Sequence, residues 1–353
     1  MFFRTKLKHT IFPIQYQSIP KRRSLKNLLS LTGHFSAMKV IEHLEKADKT
    51  LFSIEILPPL KGKTIHDLFK VLDPLMEFKP PFIDVTYHRE EVKYRKNDDG
   101  SISEIPLRKR PGTVGICAAL MAKYQVDAVP HLVCGGFTKG ETEDALFTLH
   151  YLGIDNLLLL KGDDIGKTSH IKGGHFNHYA CDLVEQVANM NRGHFLHEET
   201  AADMSTDFCI GVAGYPEKHF EAPNLDTDMA YLKKKVEMGA EYIVTQMFFD
   251  NQKYFDFVDK CRAAGIDVPI IPGLKPLSTD KHLVTLPKMF HIDIPQDLVN
   301  EVQKAKDREG IKRVGIEWSI QQSKELIAAG VPCLHFYTMS RSEATMEIAR
   351  AVF

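Results

Sequence analysis

The sequence predicts an α/β protein, a single domain folded as a (β/α)8 TIM barrel, because short apolar runs alternate along the chain with amphipathic stretches of helical periodicity. Continuous apolar strands between such helices indicate a parallel sheet covered by helices. Several of the helical stretches end at a glycine, which is the usual residue just after a helix. Eight strand–helix units favour a closed barrel over an open sheet. The first strand is not followed by a GxGxxG motif, so the dinucleotide-binding alternative lacks its signature.

The elements follow one another with short turns between them. Each apolar run is short enough for a strand, and each helical stretch is long enough to cross back over the sheet. The predicted strands cover residues 52–59, 82–88, 129–135, 156–163, 208–216, 242–250, 269–276 and 333–339. The predicted helices cover residues 64–78, 114–124, 142–152, 181–190, 228–238, 253–264, 281–290 with 296–307, and 319–329.

Three polar segments interrupt this rhythm. Residues 93–111 read as a long loop after the second strand, and residues 164–176 read as a glycine-rich loop after the fourth. A third polar segment, residues 191–207, lies between a helix and the fifth strand. Barrels keep their sites in the loops that follow strands, so the first two segments are the better candidates for a functional role.

Composition and charge narrow the class of protein. The chain has 353 residues, a formal net charge of −1 and 44% hydrophobic residues, which is ordinary for a globular protein and argues against a general nucleic-acid or membrane-surface binder. No apolar stretch approaches the roughly 18 residues of a membrane-spanning helix. The six cysteines form no CxxC pair, so we expect reduced, mostly buried thiols in a cytoplasmic protein and no structural zinc site.

The first 37 residues differ from the rest. They carry seven lysines and arginines and no acidic residue. The segment lacks the apolar core and cleavage site of a secretory signal; a transit peptide fits its composition, and Met38 is an alternative start. We interpret residues 1–37 as a basic extension, disordered or loosely attached, and residues 38–353 as the barrel.

Polar residues gather where the predicted strands end. Glu55 lies near the end of the first strand, just before Pro58 and Pro59, which cannot continue a sheet ladder. Taken alone it fits a strand-edge glutamate that reaches solvent; in a partly apolar site it would be an acid with a raised pKa. The strand ends of a barrel meet at one face, which makes a shared site the better interpretation of the whole set. Its members are Glu55, Thr86, His131, Asp163, Tyr215, Gln246 and Arg341.

The residue types favour some chemistries over others. The chain has no HxH or HExxH pair for a catalytic metal and no elbow motif for a serine or cysteine nucleophile. Lysines and a glycine pair suit phosphate, and aromatic side chains suit a flat heteroaromatic ligand. These residues are Lys161, Lys235 and Gly173–Gly174 for phosphate, and Tyr179, Tyr215, Phe248 and Phe249 for the aromatic group. The residues alone therefore indicate a barrel enzyme that binds a phosphate-bearing aromatic ligand and uses Glu55 as an acid.

The strand segments resemble those of the methylenetetrahydrofolate reductases, flavin-dependent barrels that make 5-methyltetrahydrofolate. The resemblance runs from about residue 51 to residue 347, and the chain ends soon afterwards at Phe353, as in the short bacterial form that lacks a regulatory domain. Regulation by S-adenosylmethionine is therefore not expected. The stretches that carry the resemblance are FSIEILPP, DVTY, PHLVCGGFTKGE, LLLLKGD, IGVAGYPEKHFEA, KKKVEMGAEYIVTQMFFD, IIPGLKPLS and PCLHFYTMSR.

The resemblance implies a noncovalent FAD across the C-terminal mouth of the barrel and a folate stacked on it. The residues it implies for FAD are Thr86, Tyr87, His131, Lys161, Gly162, Asp163, Tyr179, Ala180, Tyr215, His219, Glu221, Ala222, Asp228 and Lys235, with Lys235 on the pyrophosphate. Those it implies for the folate are Asp163, Gln246, Tyr337 and Arg341.

The implied reaction is ping-pong. NADH or NADPH reduces FAD and leaves, and methylenetetrahydrofolate then binds in the same place. Glu55 matches the general acid that protonates N10 and opens the five-membered ring, which requires a raised pKa. The product would supply methyl groups for methionine synthesis, and the family resemblance also implies a homo-oligomer. The expected partners are small molecules, without nucleic acid or membrane.

This chain departs from the family pattern at several places, and other readings remain open. Lys161 stands where an arginine is usual, Phe220 replaces a proline, and Leu286 aligns with an aromatic residue. A flavin barrel with another substrate, such as a proline dehydrogenase, is one alternative, although Gln246 and Asp163 favour folate. A non-catalytic barrel is another, but it would not need Glu55.

We expect Asp163→Asn to raise the reduction potential of the bound flavin. A carboxylate near the pyrimidine end of FAD disfavours the anionic reduced form, and the amide would remove that effect. The measurement is a spectroscopic redox titration of the wild type and the variant. An unchanged potential would remove this role for Asp163.

Overall fold

The structure, a computed structural model, describes residues 37–88, 91–162, 175–197, 204–339 and 341–353. The basic extension predicted for residues 1–37 lies outside the described residues, apart from its last position. Asp163 and most of the glycine-rich segment after the fourth strand, including Gly173–Gly174, lie outside them as well.

Within the described residues, parallel strands form one sheet that closes into a barrel. The strands of the chain are β1 (Leu51–Ile56), β2 (Phe82–Val85), β3 (Glu91–Lys96), β4 (Ile102–Leu107), β5 (Asp127–Val133), β6 (Asn156–Leu160), β7 (Cys209–Gly214), β8 (Tyr242–Thr245), β9 (Ile270–Ile271), β10 (Gly273–Leu274) and β11 (Cys333–Tyr337). In the barrel sheet, neighbouring strands follow the order β10-β11-β1-β2-β5-β6-β7-β8-β9, and β3 and β4 form a separate pair.

Strands β9 and β10 are two halves of one strand. Only Pro272 separates them, and proline cannot donate to a ladder. Its carbonyl still accepts from His335 N at 3.1 Å. Because β9 pairs with β8 and β10 pairs with β11, the broken strand joins the two edges of the sheet. The barrel thus has eight strands, and the predicted (β/α)8 fold is confirmed.

Helix α1 precedes the first strand and closes the N-terminal end of the barrel, and the other helices follow the strands and cover its outside. They are α1 (Val40–Lys46), α2 (Ile65–Leu72), α3 (Thr113–Tyr124), α4 (Lys139–Tyr151), α5 (Ala180–Asn191), α6 (Leu225–Glu237), α7 (Asn251–Ala263), α8 (His282–Phe290), α9 (Gln296–Lys304), α10 (Arg308–Ala328) and α11 (Glu343–Val352), with a 3-10 turn over Asp73–Phe78.

The last long helix starts earlier than the sequence predicts. We expected residues 319–329, whereas α10 has 21 residues and begins after Asp307, whose side chain accepts from Gly310 N at 2.8 Å. Gly310 and Gly315 weaken the helical signal of the first turns, because glycine is a poor helix former. The capping aspartate and the packing of the helix against the barrel override that local preference.

The long loop expected over residues 93–111 is in part a β-hairpin. Strands β3 and β4 pair antiparallel, from Glu91 opposite Leu107 to Lys96 opposite Ile102. The turn between them contains Asp99 and Gly100, a dipeptide that favours a hairpin. The prediction was wrong here because the two strands are mostly polar, so the alternation of polar and apolar residues in them is too weak to distinguish them from a loop.

The barrel interior is layered, because every second side chain of each strand points inward. At the N-terminal end the layer is apolar, and Val40 and Leu44 of α1 pack into it. The backbone of α1 is fixed there by Asn156, whose side chain accepts from Val40 N at 2.8 Å. With this end closed, the mouth at the C-terminal ends of the strands is where a ligand can enter.

The six cysteines are all buried and unpaired. Among the described residues, no helix is both long enough and apolar enough to cross a membrane.

We expect Gly273→Ala to destabilise the protein by about 1–3 kcal/mol, the usual cost of overpacking a filled interior. A Cβ at this position would overlap the Thr245 carbonyl oxygen and the Tyr337 ring. Gly115→Ala is the matched control, because it lies in α3 with open space around it and should be neutral or stabilising by up to about 1 kcal/mol. Urea unfolding measures both, and equal stabilities would contradict the close packing described here.

Candidate active site

Glu55 lies on β1 and points into the mouth of the barrel. It stands in register with Asp84 of β2 and Tyr337 of β11, and its side chain is 13% exposed. Burial, reinforced by the negative charge of Asp84, raises the pKa of Glu55 to about 7 although His131 and Lys275 oppose the shift. A carboxyl group in this state can hold a proton near neutral pH and release it to a bound ligand.

His131 connects the two carboxylates. Its Nε2 lies 3.2 Å from Asp84 Oδ2 and 3.9 Å from Glu55 Oε2. Burial disfavours the charged ring, but the hydrogen bond to Asp84 and the charges of Glu55 and Asp84 outweigh it and raise the pKa of His131. These two acids therefore favour the protonated form of the imidazole that lies between them.

A deeper polar layer supports this group, and the sequence analysis missed most of it. Ser53 Oγ lies 2.9 Å from His335 Nδ1, and the same nitrogen is 4.0 Å from Asp84 Oδ1. Burial lowers the pKa of His335, which favours its neutral form. Ser53, Asp84 and His335 alternate with apolar residues in their strands, and each lies two positions before a residue of the mouth. This period of two is the signal that could have revealed them.

Tyr337 of β11 reaches past the broken strand β9–β10 to β8. Its hydroxyl donates to the Thr245 carbonyl oxygen, and burial raises its pKa well above the usual value. The next residue, Thr338, donates from Oγ1 to the Glu55 carbonyl at 2.7 Å. These bonds fix the β11 end against β1 on one side and β8 on the other.

Gln246 follows β8 at the same face. Its backbone N–H donates to the Gly214 carbonyl at 2.8 Å, and its side-chain oxygen accepts from Met247 N at 2.9 Å. Arg341 follows β11, and its backbone N–H donates to the Thr338 carbonyl at 3.0 Å. Both residues predicted for the folate site therefore border the mouth near Tyr337.

Lys275 is a second residue that the sequence analysis missed. It follows β10 directly and is 9% exposed. Burial, together with the charge of Arg341, lowers its pKa to about 8 against the opposing effect of Glu55. The segment IIPGLKPLS contributed to the family resemblance, but a lysine after a glycine and a leucine gave no sign of its burial.

The residues predicted to bind a cofactor lie at the ends of β2, β5, β6 and β7. Thr86 follows β2, its N–H donates to the Ile56 carbonyl at 3.0 Å, and its hydroxyl oxygen is shielded from solvent with no hydrogen-bond partner among the described residues. The ring of Tyr87 lies 5.0 Å from that of Phe137. A buried hydroxyl without a partner is costly in a free protein and is well suited to contact a ligand.

Lys161 and Gly162 end β6. The Lys161 ammonium pairs with Glu221 at 2.6 Å and lies 5.7 Å from the centre of the Tyr179 ring. Gly162 has a φ of +81°, and a Cβ there would come within 3.1 Å of Val133, so the turn that follows β6 requires glycine. Lys161 thereby links β6 to the loop after β7 and to the start of α5.

The loop after β7 and helix α6 supply the other predicted positions. Tyr215 meets the His219 ring edge-on at 4.6 Å, and His219 N donates to Asp228 Oδ2 at 2.8 Å. The Lys235 ammonium is buried and donates to the Ala213 carbonyl at 2.9 Å; burial lowers its pKa. It retains two further donors.

Ala180 and Ala222 are placed by backbone bonds. Ala180 is the first residue of α5, where Asp182 accepts from Tyr179 N at 3.0 Å. The Ala222 carbonyl accepts from Lys218 Nζ at 2.6 Å. Both alanines therefore present backbone and a small side chain, which lets a flat ligand approach closely.

Comparison with known proteins identifies the family. A family described as methylenetetrahydrofolate reductase matches residues 39–352. The chain belongs to the methylenetetrahydrofolate reductase family. The resemblance drawn from the strand segments is thereby confirmed.

Members of this family from distant organisms match the barrel. The chain is 33% identical over 308 residues to methylenetetrahydrofolate reductase 1 of Schizosaccharomyces pombe, covering 87% of this chain and 46% of that protein. It is 32% identical over 304 residues to the 5,10-methylenetetrahydrofolate reductase of Salmonella typhimurium, covering 85% of this chain and 90% of that protein. The chain spans about half the length of the plant and yeast relatives and most of the bacterial ones.

A solved structure shares the fold of this methylenetetrahydrofolate reductase family member. An uncharacterized protein from Clostridium thermocellum, described as binding two copies of 5-methyl-5,6,7,8-tetrahydrofolic acid, superposes with a TM-score of 0.51. The match covers 88% of this chain and 97% of that one at 14% identity, which supports the barrel architecture.

We expect Glu55→Gln to become more stable relative to the wild type as the pH rises. Because the folded-state pKa of Glu55 is raised from 4.5 to about 7, the wild type loses stability as pH increases through this window. The variant lacks that loss, which amounts to about 3 kcal/mol for a shift of this size.

Urea unfolding at about pH 5 and about pH 8 measures the difference. Glu237→Gln on the outer face of α6, where the Glu237 side chain is 63% exposed, is the control and should follow the wild type. Parallel stability curves for the wild type and Glu55→Gln would contradict the buried acid.

Proposed function

We propose that this protein reduces 5,10-methylenetetrahydrofolate to 5-methyltetrahydrofolate, with FAD as cofactor and NADH or NADPH as donor. The observation that carries the proposal is the acid: Glu55 lies at the mouth of a barrel of this family, and burial raises its pKa to about 7. Opening the five-membered ring of the substrate needs a proton donor that is still protonated near neutral pH. Glu55 meets that need.

The residues at the ends of β2, β5, β6 and β7 fit FAD. The shielded hydroxyl of Thr86 has no partner among the described residues, and the buried Lys235 keeps donors for phosphate oxygens. Tyr215 and His219 add an aromatic edge. FAD bound there would take two electrons from the nicotinamide donor and deliver them to the folate.

Glu55 is the proposed proton donor, and the charges of Asp84 and His131 affect how readily it releases the proton. In the protonated state the carboxyl avoids charge repulsion with Asp84. Once the proton has passed to N10 of the folate, the carboxylate left on Glu55 faces the ring of His131, 3.9 Å away, and the two acids raise the pKa of that ring. The pair of neighbours thus favours a protonated acid before the transfer and stabilises the carboxylate after it.

Gln246, Tyr337 and Arg341 are the described candidates for orienting the folate. Gln246 follows β8 and Arg341 follows β11. Tyr337 links these two strands, because its hydroxyl donates to the Thr245 carbonyl. An amide matches the donor and acceptor edge of a pterin, and a guanidinium matches its carboxylates. Asp163, which is outside the described residues, remains the proposed partner of the pterin and the flavin.

The proposed kinetic order is ping-pong, with donor and folate using one place in turn. The closed N-terminal end of the barrel supports a single entrance, because α1 packs into that end. With a single entrance, the donor and the folate would reach the cofactor from the same side.

The test is an absorption spectrum of the purified protein followed by two anaerobic additions. The protein, as purified or after loading with FAD, should be yellow, lose colour with NADH or NADPH and regain it with methylenetetrahydrofolate. Glu55→Gln should still bleach but fail to recolour, because only the second step needs its proton.

Glu241→Gln is the matched control. Glu241 is half-buried and accepts from Ile210 N at 3.3 Å, at the opposite end of the barrel, so this variant should complete both steps. A protein that takes up no FAD would overturn the flavin assignment. A yellow protein that bleaches but recolours with another oxidant and not with the folate would favour a flavin barrel of different substrate.

A further inference from the structure

Lys275 occupies a position in the mouth that follows from strand register. Gly273 pairs with His335 and Leu274 with Phe336, so the next residue on this side, Lys275, lies level with Tyr337. Tyr337 in turn pairs with Glu55 on β1. Three neighbouring strands therefore bring Lys275, Tyr337 and Glu55 into register at the mouth of the barrel.

The side chain of Lys275 points to the interior. Ile271, four residues earlier, packs in the apolar layer inside the barrel, and side chains on one strand share a face every second residue. A Cβ on Gly273 would meet the Tyr337 ring, which also lies inside. Lys275 continues this inward row at the mouth, where it is 9% exposed.

The Lys275 ammonium has no hydrogen bond or ion pair with any described residue. No other residue of the described chain lies close enough to neutralise it by contact, yet its charge and that of Glu55 stabilise each other. A buried ammonium without a contact partner is costly. Its most direct use is to act through its charge on Glu55, which is in register with it through Tyr337.

We propose that Lys275 is a positioning residue for the acid, whose charge stabilises the carboxylate that Glu55 becomes when it gives its proton to the folate. The role rests on the proposed function for the identity of the proton acceptor. In the step concerned, the O–H bond of Glu55 breaks and an N–H bond forms on the substrate. Lys275 keeps its own protons and no electrons are exchanged.

Lys275 differs from the other charged groups around Glu55 in how it affects the Glu55 carboxylate. Asp84 acts against the Glu55 carboxylate, whereas His131 and Lys275 favour it. His131 is hydrogen-bonded to Asp84 at 3.2 Å, so part of its charge is already compensated. The groups that face this pair from the neighbouring elements are Asp84, His131, Tyr215, His282, His335, Tyr337 and Arg341.

Burial and Arg341 narrow the pH range over which Lys275 stays charged. Burial and the charge of Arg341 lower the pKa of Lys275 to about 8, and the charges of Lys275 and Arg341 add to burial in lowering the pKa of His282. Glu55 is protonated, with Lys275 charged, below about pH 7. Proton donation is therefore expected to fall as the pH rises through this range.

The direct test is an infrared titration of Glu55 in the loaded protein. The carboxylic C=O band of Glu55 is assigned by its loss in Glu55→Gln and followed against pH. In Lys275→Met, which keeps length and removes charge, the midpoint should rise by about 1 pH unit, the lower end for loss of a nearby opposite charge. Lys275→Arg should keep the wild-type midpoint.

Kinetics give the second measurement. In the anaerobic folate half-reaction, the alkaline limb of the pH–rate profile of Lys275→Met should move to higher pH by the same amount. The rate at the pH optimum should fall about tenfold, as expected from losing one nearby stabilising charge. The donor half-reaction should be affected less. Lys233→Met, which removes a surface lysine of α6 whose side chain is 45% exposed, is the control.

An unmoved midpoint in Lys275→Met would overturn the proposal. Circular dichroism and thermal unfolding show whether the larger arginine distorts the mouth. In that case Lys275→Gln is used as a second neutral variant, and its Glu55 titration midpoint must agree with that of Lys275→Met. The infrared titration does not depend on turnover. A failure to reduce folate with a shifted midpoint would therefore refute the proposed function and leave the coupling of Lys275 to Glu55 standing.

Discussion

The alternation of side chains along a closed barrel is the constraint on which the rest of this structure depends. Because the strands close through the broken pair β9 and β10, every inward side chain shares one small interior with those of the other strands. That interior is apolar where α1 seals it and polar toward the mouth. The polar groups there cannot turn to solvent, so their charges act on one another in a medium that screens them weakly.

This shared interior explains why Glu55 is an unusual carboxyl. A glutamate at the end of an open sheet would reach water and ionise in the ordinary way. Here burial raises its pKa, Asp84 strengthens the effect, and His131 and Lys275 oppose it. The balance keeps the carboxyl near the point at which it can both hold and release a proton, which is the property a general acid requires.

The same arrangement carries a cost in stability. Within the part of the chain that the structure describes, the hydroxyl of Thr86, Oδ1 of Asp84 and Nε2 of His335 are buried without hydrogen-bond partners, and each such group costs about 1–3 kcal/mol. Fixed elements around the mouth offset this cost: Tyr337 ties β11 to Thr245, and Thr338 ties it to β1. Polar groups left unsatisfied in a rigid frame are typical of a site built for a ligand rather than for the fold.

The strands, most of the helices and the face proposed for the site could be predicted from the sequence, because hydrophobic periodicity and turn residues are local properties of the chain. It also singled out Glu55, since a carboxylate in an apolar strand is visible without a structure. The hairpin of β3 and β4 and the early start of α10 were missed because packing overrides weak local signals there. Asp84, His335 and Lys275 belong to the site only through register across neighbouring strands, and register is set by barrel closure. Which charges meet, and therefore how strongly each carboxyl holds its proton, was decided by the tertiary structure alone.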